Sequence, residues 1–280
     1  MIRVKLYGGL GNQMFQYAAA AALAERRDTG VMLDLSWFSN EGQRARTVRP
    51  YELMIFKLPA RTYDSSSRFR KWQSRRQKVP VIRRGTSRFD PSVLSAPRNV
   101  YLDGYWQSEQ YFLDATERIR ADFTFPAPTD DRNEELLKKI EASPTAVSVH
   151  VRRGDYANDA KTNAFHGLMG VDYYRKACAV IKDAVGSPEF FVFSDDPAWC
   201  RGNLELDGAT FVDWNTGRTA WEDMRLMSTC RHHVLANSSF SWWGAWLNPS
   251  EDKVVVAPRQ WAVDPSFDTT DLVPDEWTRV

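Results

Sequence analysis

Two arginines, a glycine and an acid, Arg152-Arg153-Gly154-Asp155, close a run of alternating small and apolar residues from Thr145 to Val151. Alternation at every second position is the period of a β-strand, so the spacing predicts a half-buried strand over Ala146–Val151. Successive strand side chains point to opposite faces. Ser148, His150 and Arg152 then share one face, and Val147, Val149, Val151 and Arg153 the other. The valines can pack on a core while His150 and Arg152 arrive together at the strand's carboxyl end, where open α/β sheets bind ligands. Gly154 lets the backbone turn there. A guanidinium fork in that place suits a phosphate or a carboxylate. The competing reading is a charged surface turn in which Asp155 pairs with one of the arginines.

Two further stretches could hold an anion. Asn237-Ser238-Ser239 stands between a predicted strand, Val234–Ala236, and a helix carrying Phe240, Trp242, Trp243 and Trp246 that stops before Pro249. The first N–H groups of a helix lack intrahelical partners, so such a junction can cradle a phosphate; a plain N-cap at Ser239 is the local alternative. Gly8-Gly9-Leu10-Gly11-Asn12 joins a strand, Ile2–Tyr7, to an alanine-rich helix, Gln13–Arg26. Gly9-x-Gly11 with Asp34 following invites a dinucleotide reading, and with it an oxidoreductase, but Met14 occupies the third glycine position of that fingerprint. What remains is a glycine loop at a helix N-terminus, with Gly9, Gly11 and Asn12 as candidate ligand contacts. Two cradles at strand ends of one α/β unit, at Arg152 and at Ser238–Ser239, fit a diphosphate lying between them.

Other candidates are weighed against simpler roles. Asp195-Asp196 follow a buried strand, Phe190–Phe193; paired acids can hold a divalent ion, but an acidic helix start before Pro197 is the stronger reading. Asp213 ends a strand over Ala209–Val212. Thr219 and Glu222 stand in capping-box spacing at the head of a helix running to Cys230, which leaves Asp223 without a structural duty. Tyr105, Trp106 and Gln107 end a strand over Val100–Trp106, and flat aromatics with an amide suit a sugar ring, although core packing competes. Ser108 then caps a predicted helix from Glu109 to Phe123. Beyond the arginine strand a polar loop carries Asp159, Lys161 and His166, followed by helical spacing over Val171–Val185.

Strands alternating with helices over 280 residues predict an α/β chain of two domains. Pro126–Asp130 is the best linker, and the boundary is placed at residue 140, giving domains 1–140 and 141–280. A hydrophobic content of 43% with 26% charged residues is globular, and a net charge of +1 argues against a dedicated nucleic-acid binder. The near-neutrality hides an asymmetry: Arg61–Arg88 holds ten Lys or Arg residues against one acid, Asp64, so the remainder is net negative. With Phe69 and Trp72 interleaved, this stretch reads as a solvated helix face, with weak contact to an anionic membrane surface as a minor reading. Three widely spaced cysteines form no CxxC pair, which predicts neither disulfides nor a zinc site. No apolar run approaches a membrane span and the N-terminus opens directly on a strand, so a cytoplasmic protein, at most peripheral at the inner membrane, is expected.

Six motifs in order, GGLGNQMFQYA (Gly8–Ala18), DGYWQSEQYF (Asp103–Phe112), HVRRGDY (His150–Tyr156), FSDD (Phe193–Asp196), EDMRLMSTC (Glu222–Cys230) and NSSFSWWGAWL (Asn237–Leu247), resemble the galactoside α-1,2-fucosyltransferases, in particular their soluble bacterial members. The resemblance spans nearly the whole chain; animal members of that family carry an N-terminal membrane anchor that has no counterpart here. It implies two facing Rossmann-like domains of the GT-B type, an acceptor-side N-terminal domain and a donor-side C-terminal one. It implies GDP-β-L-fucose as donor, the 2-hydroxyl of a terminal β-galactoside as acceptor, inversion, and no metal or other cofactor. Carried over, Arg152 matches the arginine that clamps the β-phosphate, with His150 beside the nucleotide. Ser238, Ser239 and Phe240 match the diphosphate loop, Asp223 the helix motif below the nucleotide, and Asp195 and Asp213 guanine or ribose contacts. Trp106, Gln107 and Glu109 fall to the acceptor. Related α-1,6 enzymes place a glutamate past their arginine pair; here Asp155 takes the general-base role, with Asp159 and Glu109 behind it. A non-catalytic nucleotide- or sugar-binding module using the same cradles is the alternative from another class.

Overall fold

The computed structural model describes residues 1–39, 49–64, 79–84, 88–154, 167–264 and 268–280. The basic stretch is described only over residues 61–64, 79–84 and Arg88, so its expected helix lies outside the described residues, as do Asp155, Asp159, Lys161 and His166. The chain forms two compact units, Met1–Pro126 with Asp268–Pro274, and Ala127–Phe267 with Asp275–Val280. The division falls at Pro126–Ala127 rather than at residue 140, because Asp131–Ala142 is a helix packed within the second unit.

Unit 1 is a five-stranded parallel sheet in the order β3-β2-β1-β5-β4, with β1 Ile2–Lys5, β2 Val31–Asp34, β3 Ala60–Tyr63, β4 Val81–Arg84 and β5 Val100–Gly104. Helix α1, Leu10–Arg26, follows β1 and is buried from Leu10 to Ala24 apart from Asn12. Its alanines let the backbone lie close to the sheet, at no side-chain entropy cost in the helix. The helix expected over Glu109–Phe123 is broken into two 3₁₀ turns, Glu109–Tyr111 and Leu113–Ala115, before α2, Thr116–Asp122. Phe112 leaves helical geometry (φ −137°, ψ 15°) and buries its ring 6.2 Å from that of Phe15 on α1. Tertiary burial has overridden local periodicity at that point.

Unit 2 is a six-stranded parallel sheet in the order β11-β10-β9-β6-β7-β8. Its strands are β6 Ala146–Val151, β7 Glu189–Ser194, β8 Thr210–Val212, β9 His232–Val234, β10 Val255–Ala257 and β11 Thr278–Arg279. Helices α3 Asp131–Ala142, α4 Val171–Val185, α5 Pro197–Asn203, α6 Trp221–Thr229 and α7 Ser239–Leu247 flank it. The arginine strand β6 is central and buried on both faces, not half-buried. Val147, Val149 and Val151 pack with Tyr174, Ala177 and Ile181 of α4. On the opposite face Ser148 is satisfied by His233 at 2.8 Å, which is how a polar residue survives in the middle of a parallel sheet.

The expected capping box at Thr219 and Glu222 does not form. Helix α6 starts after Ala220 without a side-chain cap. Glu222 is fully buried, accepts the Thr129 N–H at 2.7 Å and pairs with Arg225 at 2.6 Å. It is the buried carboxylate that needs partners, and the Thr129 N–H and Arg225 supply them. All three cysteines are free and buried, and among the described residues no helix is long and apolar enough to cross a membrane.

Candidate functional site

At the carboxyl end of β6 the two arginines part as strand alternation requires. Arg153 lies over the Trp199 ring of α5, 4.0 Å from the guanidinium carbon to the ring centre, and its Nε meets Asp196 at 3.3 Å. Stacked and paired, Arg153 serves the fold. Arg152 is held instead by Asp195, Nη1 to Oδ2 at 3.0 Å, while Asp195 Oδ1 accepts the Arg153 backbone N–H at 2.8 Å. One carboxylate thus fixes both the arginine's head and the backbone beside it. Gly154 makes this possible: a Cβ there would lie 2.8 Å from Asp195 Oδ2. Asp195 and Asp196, read as guanine contact and helix start, are both engaged with the arginine pair. Asp196 also N-caps α5 through the Trp199 N–H.

His150 is the common neighbour of Arg152 and the serine loop. It is buried, its ring lies 5.8 Å from that of Phe240, and its Nδ1 has no hydrogen-bond partner. Burial lowers its pKa to about 4, helped by the charge of Arg152 and opposed by that of Asp195. The imidazole is therefore neutral at neutral pH. Since the unfolded histidine titrates at 6.5 and the folded one only near 4, the unfolded state gains protons first as pH falls. Stability is complete above about 6.5 and drains away between about 6.5 and 4. Thermal melts should show that fall, and His150→Gln should flatten part of it.

The loop after β9 is pinned by Asn237, whose Nδ2 donates to the Gly167 and Trp261 carbonyls at 3.2 Å each. Ser238, not Ser239, is the N-cap of α7, accepting the Phe240 N–H at 3.3 Å. Ser238, Ser239 and Phe240 are half-buried at the positive end of that helix. Arg152 and the start of α7 both stand beside His150.

Asp213 follows the edge strand β8, two strands along from β6, and pairs with Arg201 at 2.6 Å. Asp223 sits in the first turn of α6 and accepts from Asn215 Nδ2 at 2.8 Å. Burial raises its carboxyl pKa to about 7, opposed by the Asn215 hydrogen bond. Asn215 in turn exchanges two hydrogen bonds with Asn133, each 2.9 Å, and Trp214 Nε1 donates to Asn133 Oδ1 at 3.0 Å. These three residues carry no motif. The sole local signal is Asp130, three positions before Asn133, in N-cap spacing ahead of the apolar Leu136 and Ile140. Among the described residues no three carboxylate, imidazole or thiol groups converge as metal ligands.

In unit 1, Gly8 adopts φ +77° and a Cβ there would meet Asn12 Nδ2 at 2.7 Å, so the loop needs glycine. Asn12 and Gln13 return their N–H groups to the Gly9 carbonyl, and Asn12 Oδ1 accepts from Gln107 at 2.9 Å. Asp34, the acid of the dinucleotide reading, is fully buried and occupied by the Ser36 N–H and the Tyr101 hydroxyl. Trp106, expected to face a sugar, is 1% exposed and packs edge-on against Tyr111. It takes φ +57°, outlying for a bulky residue. Its ring belongs to the core, and it is Tyr105 beside it that stays partly open. Glu109 lies in the 3₁₀ turn after Ser108, where its charge acts on Arg120.

The model of Glycosyl transferase family 11 matches residues 1–280. An α-1,2-colitosyltransferase of Escherichia coli is 34% identical over 100% of this chain and 99% of its own. The O-antigen biosynthesis glycosyltransferase WbnK of Escherichia coli is 33% identical over 97% and 98%. Galactoside α-(1,2)-fucosyltransferase 1 of Lagothrix lagotricha is 26% identical, covering 86% of this chain and 63% of that one. In fold, the fucosyltransferase NodZ from Bradyrhizobium superposes with a TM-score of 0.52 at 16% identity, over 89% of this chain and 93% of that one. The two parallel α/β units are thus of the GT-B glycosyltransferase class, and with a family match over its full length the chain belongs to glycosyl transferase family 11.

Proposed function

We propose that this glycosyltransferase moves L-fucose from GDP-β-L-fucose to the 2-hydroxyl of a terminal β-galactoside, with inversion and without a metal. The observation that carries the reading is Arg152 locked by Asp195 at the carboxyl end of β6, on the face of His150, whose ring lies beside Phe240 at the start of α7. As the glycosidic C–O bond breaks, the departing diphosphate gains negative charge. A guanidinium and a helix N-terminus oriented before reaction can absorb that charge with little reorganisation. The acid pair that could have bound a cation is engaged with Arg152, Arg153 and the head of α5, which favours the metal-free route. In this reading unit 2 takes the donor through His150, Arg152, Asp223 and Ser238–Phe240, with Asn12 of the glycine loop also a donor contact, and unit 1 takes the acceptor near Tyr105 and Gln107. Asp155 removes the proton from the acceptor hydroxyl.

The colitosyltransferase relative supports a second donor. Colitose is L-fucose without its 3-hydroxyl, and the same phosphate clamp serves either sugar. Supplying GDP-fucose and its 3-deoxy analogue in parallel to a β-galactoside, with excess EDTA, tests both. The expected result is a metal-independent α-1,2-linked product whose linkage and anomeric form are read by NMR. Binding of the donor with neither transfer nor hydrolysis would favour the non-catalytic module, and activity lost to EDTA and restored by a divalent ion would overturn the metal-free step.

A further inference from the structure

We infer that Asn215 is a positioning residue for donor binding, acting through Asp223 as the last link of a hydrogen-bond chain that begins at Trp214. The inference rests on the reading above, in which Asp223 meets the donor nucleotide.

An indole N–H can only donate, so the Trp214 bond at 3.0 Å fixes which end of the Asn133 amide is oxygen. Asp130 confirms it from the other side, accepting the Asn133 backbone N–H at 2.8 Å and its Nδ2 at 3.2 Å. With its oxygen so placed, Asn133 turns Nδ2 to Asn215 Oδ1 and Oδ1 to Asn215 Nδ2. Asn215 therefore has only N–H to offer Asp223, and it donates to Oδ1 at 2.8 Å. Asn133 is fully buried and Asn215 is 8% exposed, so water has little access to restore a flipped amide's partners. A donor aimed at a carboxylate favours its charged form, which counters the burial that pushes this carboxyl toward neutrality. An ionised Asp223 can accept hydrogen bonds from a ligand's N–H groups; a protonated one presents a donor instead.

The other charges around Asp223 are accounted for. Glu222, its neighbour on α6, is closed by Arg225 and the Thr129 N–H. Asp130 on the α3 side is closed on Asn133. Arg132 stacks on Trp214 at 3.6 Å, and Asp213 is paired with Arg201.

GDP is the probe, its affinity measured calorimetrically on both sides of pH 7 for the full-length enzyme. Asp223→Asn should weaken GDP binding and leave only the pH dependence that the terminal phosphate of GDP itself supplies. Asn215→Leu should weaken binding at neutral pH about tenfold, the scale of one hydrogen bond to a charge. It should also move the midpoint of acid loss upward by about one unit, because one unit corresponds to the same interaction energy. Trp214→Phe, which removes the N–H together with part of the ring on which Arg132 stacks, should shift the midpoint the same way by less, and it covers the case in which Asn215→Leu does not fold. If Asp223→Asn binds GDP like the wild type at every pH, the placement of Asp223 at the nucleotide fails. If Asp223→Asn is impaired while the Asn215 and Trp214 variants keep the wild-type affinity and midpoint, the positioning role is overturned.

Discussion

Arg152→Ala should fold as the wild type does and lose nearly all transfer. The side chain is 23% exposed, so its removal leaves no deep cavity, and β6 retains its valine face. The truncation does leave Asp195 without its guanidinium partner, in a half-exposed place where water can replace it. The chemical loss is larger. Removing one preorganised donor from a developing anion typically costs ~10²–10³ in rate, and the proposed role of Arg152 is a charged, two-pronged version of such a donor. Arg152→Lys should recover little, because an ammonium cannot hold Asp195 and a phosphate with the fixed geometry of a planar fork. The check is kcat and KM for donor, alongside a thermal melt. An Arg152→Ala enzyme with normal kcat would remove the basis of the proposed mechanism.

Gly154→Ala is expected to cut turnover by about 10²-fold while leaving the melting temperature nearly unchanged. The new methyl would stand 2.8 Å from Asp195 Oδ2 and 3.0 Å from its Cγ. A free carboxylate would swing aside at little cost, but this one is tethered to Arg152 Nη1 and to the Arg153 N–H. Relief of the clash must break or lengthen one of those bonds, and either outcome re-aims Arg152. A displacement on the ångström scale at a reacting centre is enough for the stated loss. Steady-state kinetics with the melt as a control decides it. Unchanged kcat/KM would mean that Asp195 does not set the arginine's position.

The two variants probe one arrangement from opposite ends, the arginine itself and the backbone atom that lets its partner approach. They also show where sequence reading succeeded. The alternation through Val151 and the glycine after it announced a strand and the turn at its end, because strand periodicity and glycine's freedom are local properties. The same holds for the start of α7: a small hydroxyl loop before an apolar run is a helix start wherever it occurs, and only the capping residue moved, from Ser239 to Ser238. The GT-B class and the family were carried by motifs spread along the whole chain, and the chain does belong to that family.

What sequence could not reach were the partners. Asp195 looked free for a ligand, yet it stands some forty residues from the backbone N–H it accepts and is brought there only by the parallel pairing of β6 with β7, Val151 opposite Ser194. Glu222 had a complete local explanation as a capping residue and lost it to the N–H of Thr129, ninety-three positions away. Trp106 ended a strand as a sugar platform should, but its ring was worth more to the core, even at the cost of an unfavourable backbone conformation. Local chemistry determined which residues could bind an anion and which elements would present them. The sheet order and the requirement that every buried polar group find a partner decided which partners those residues met.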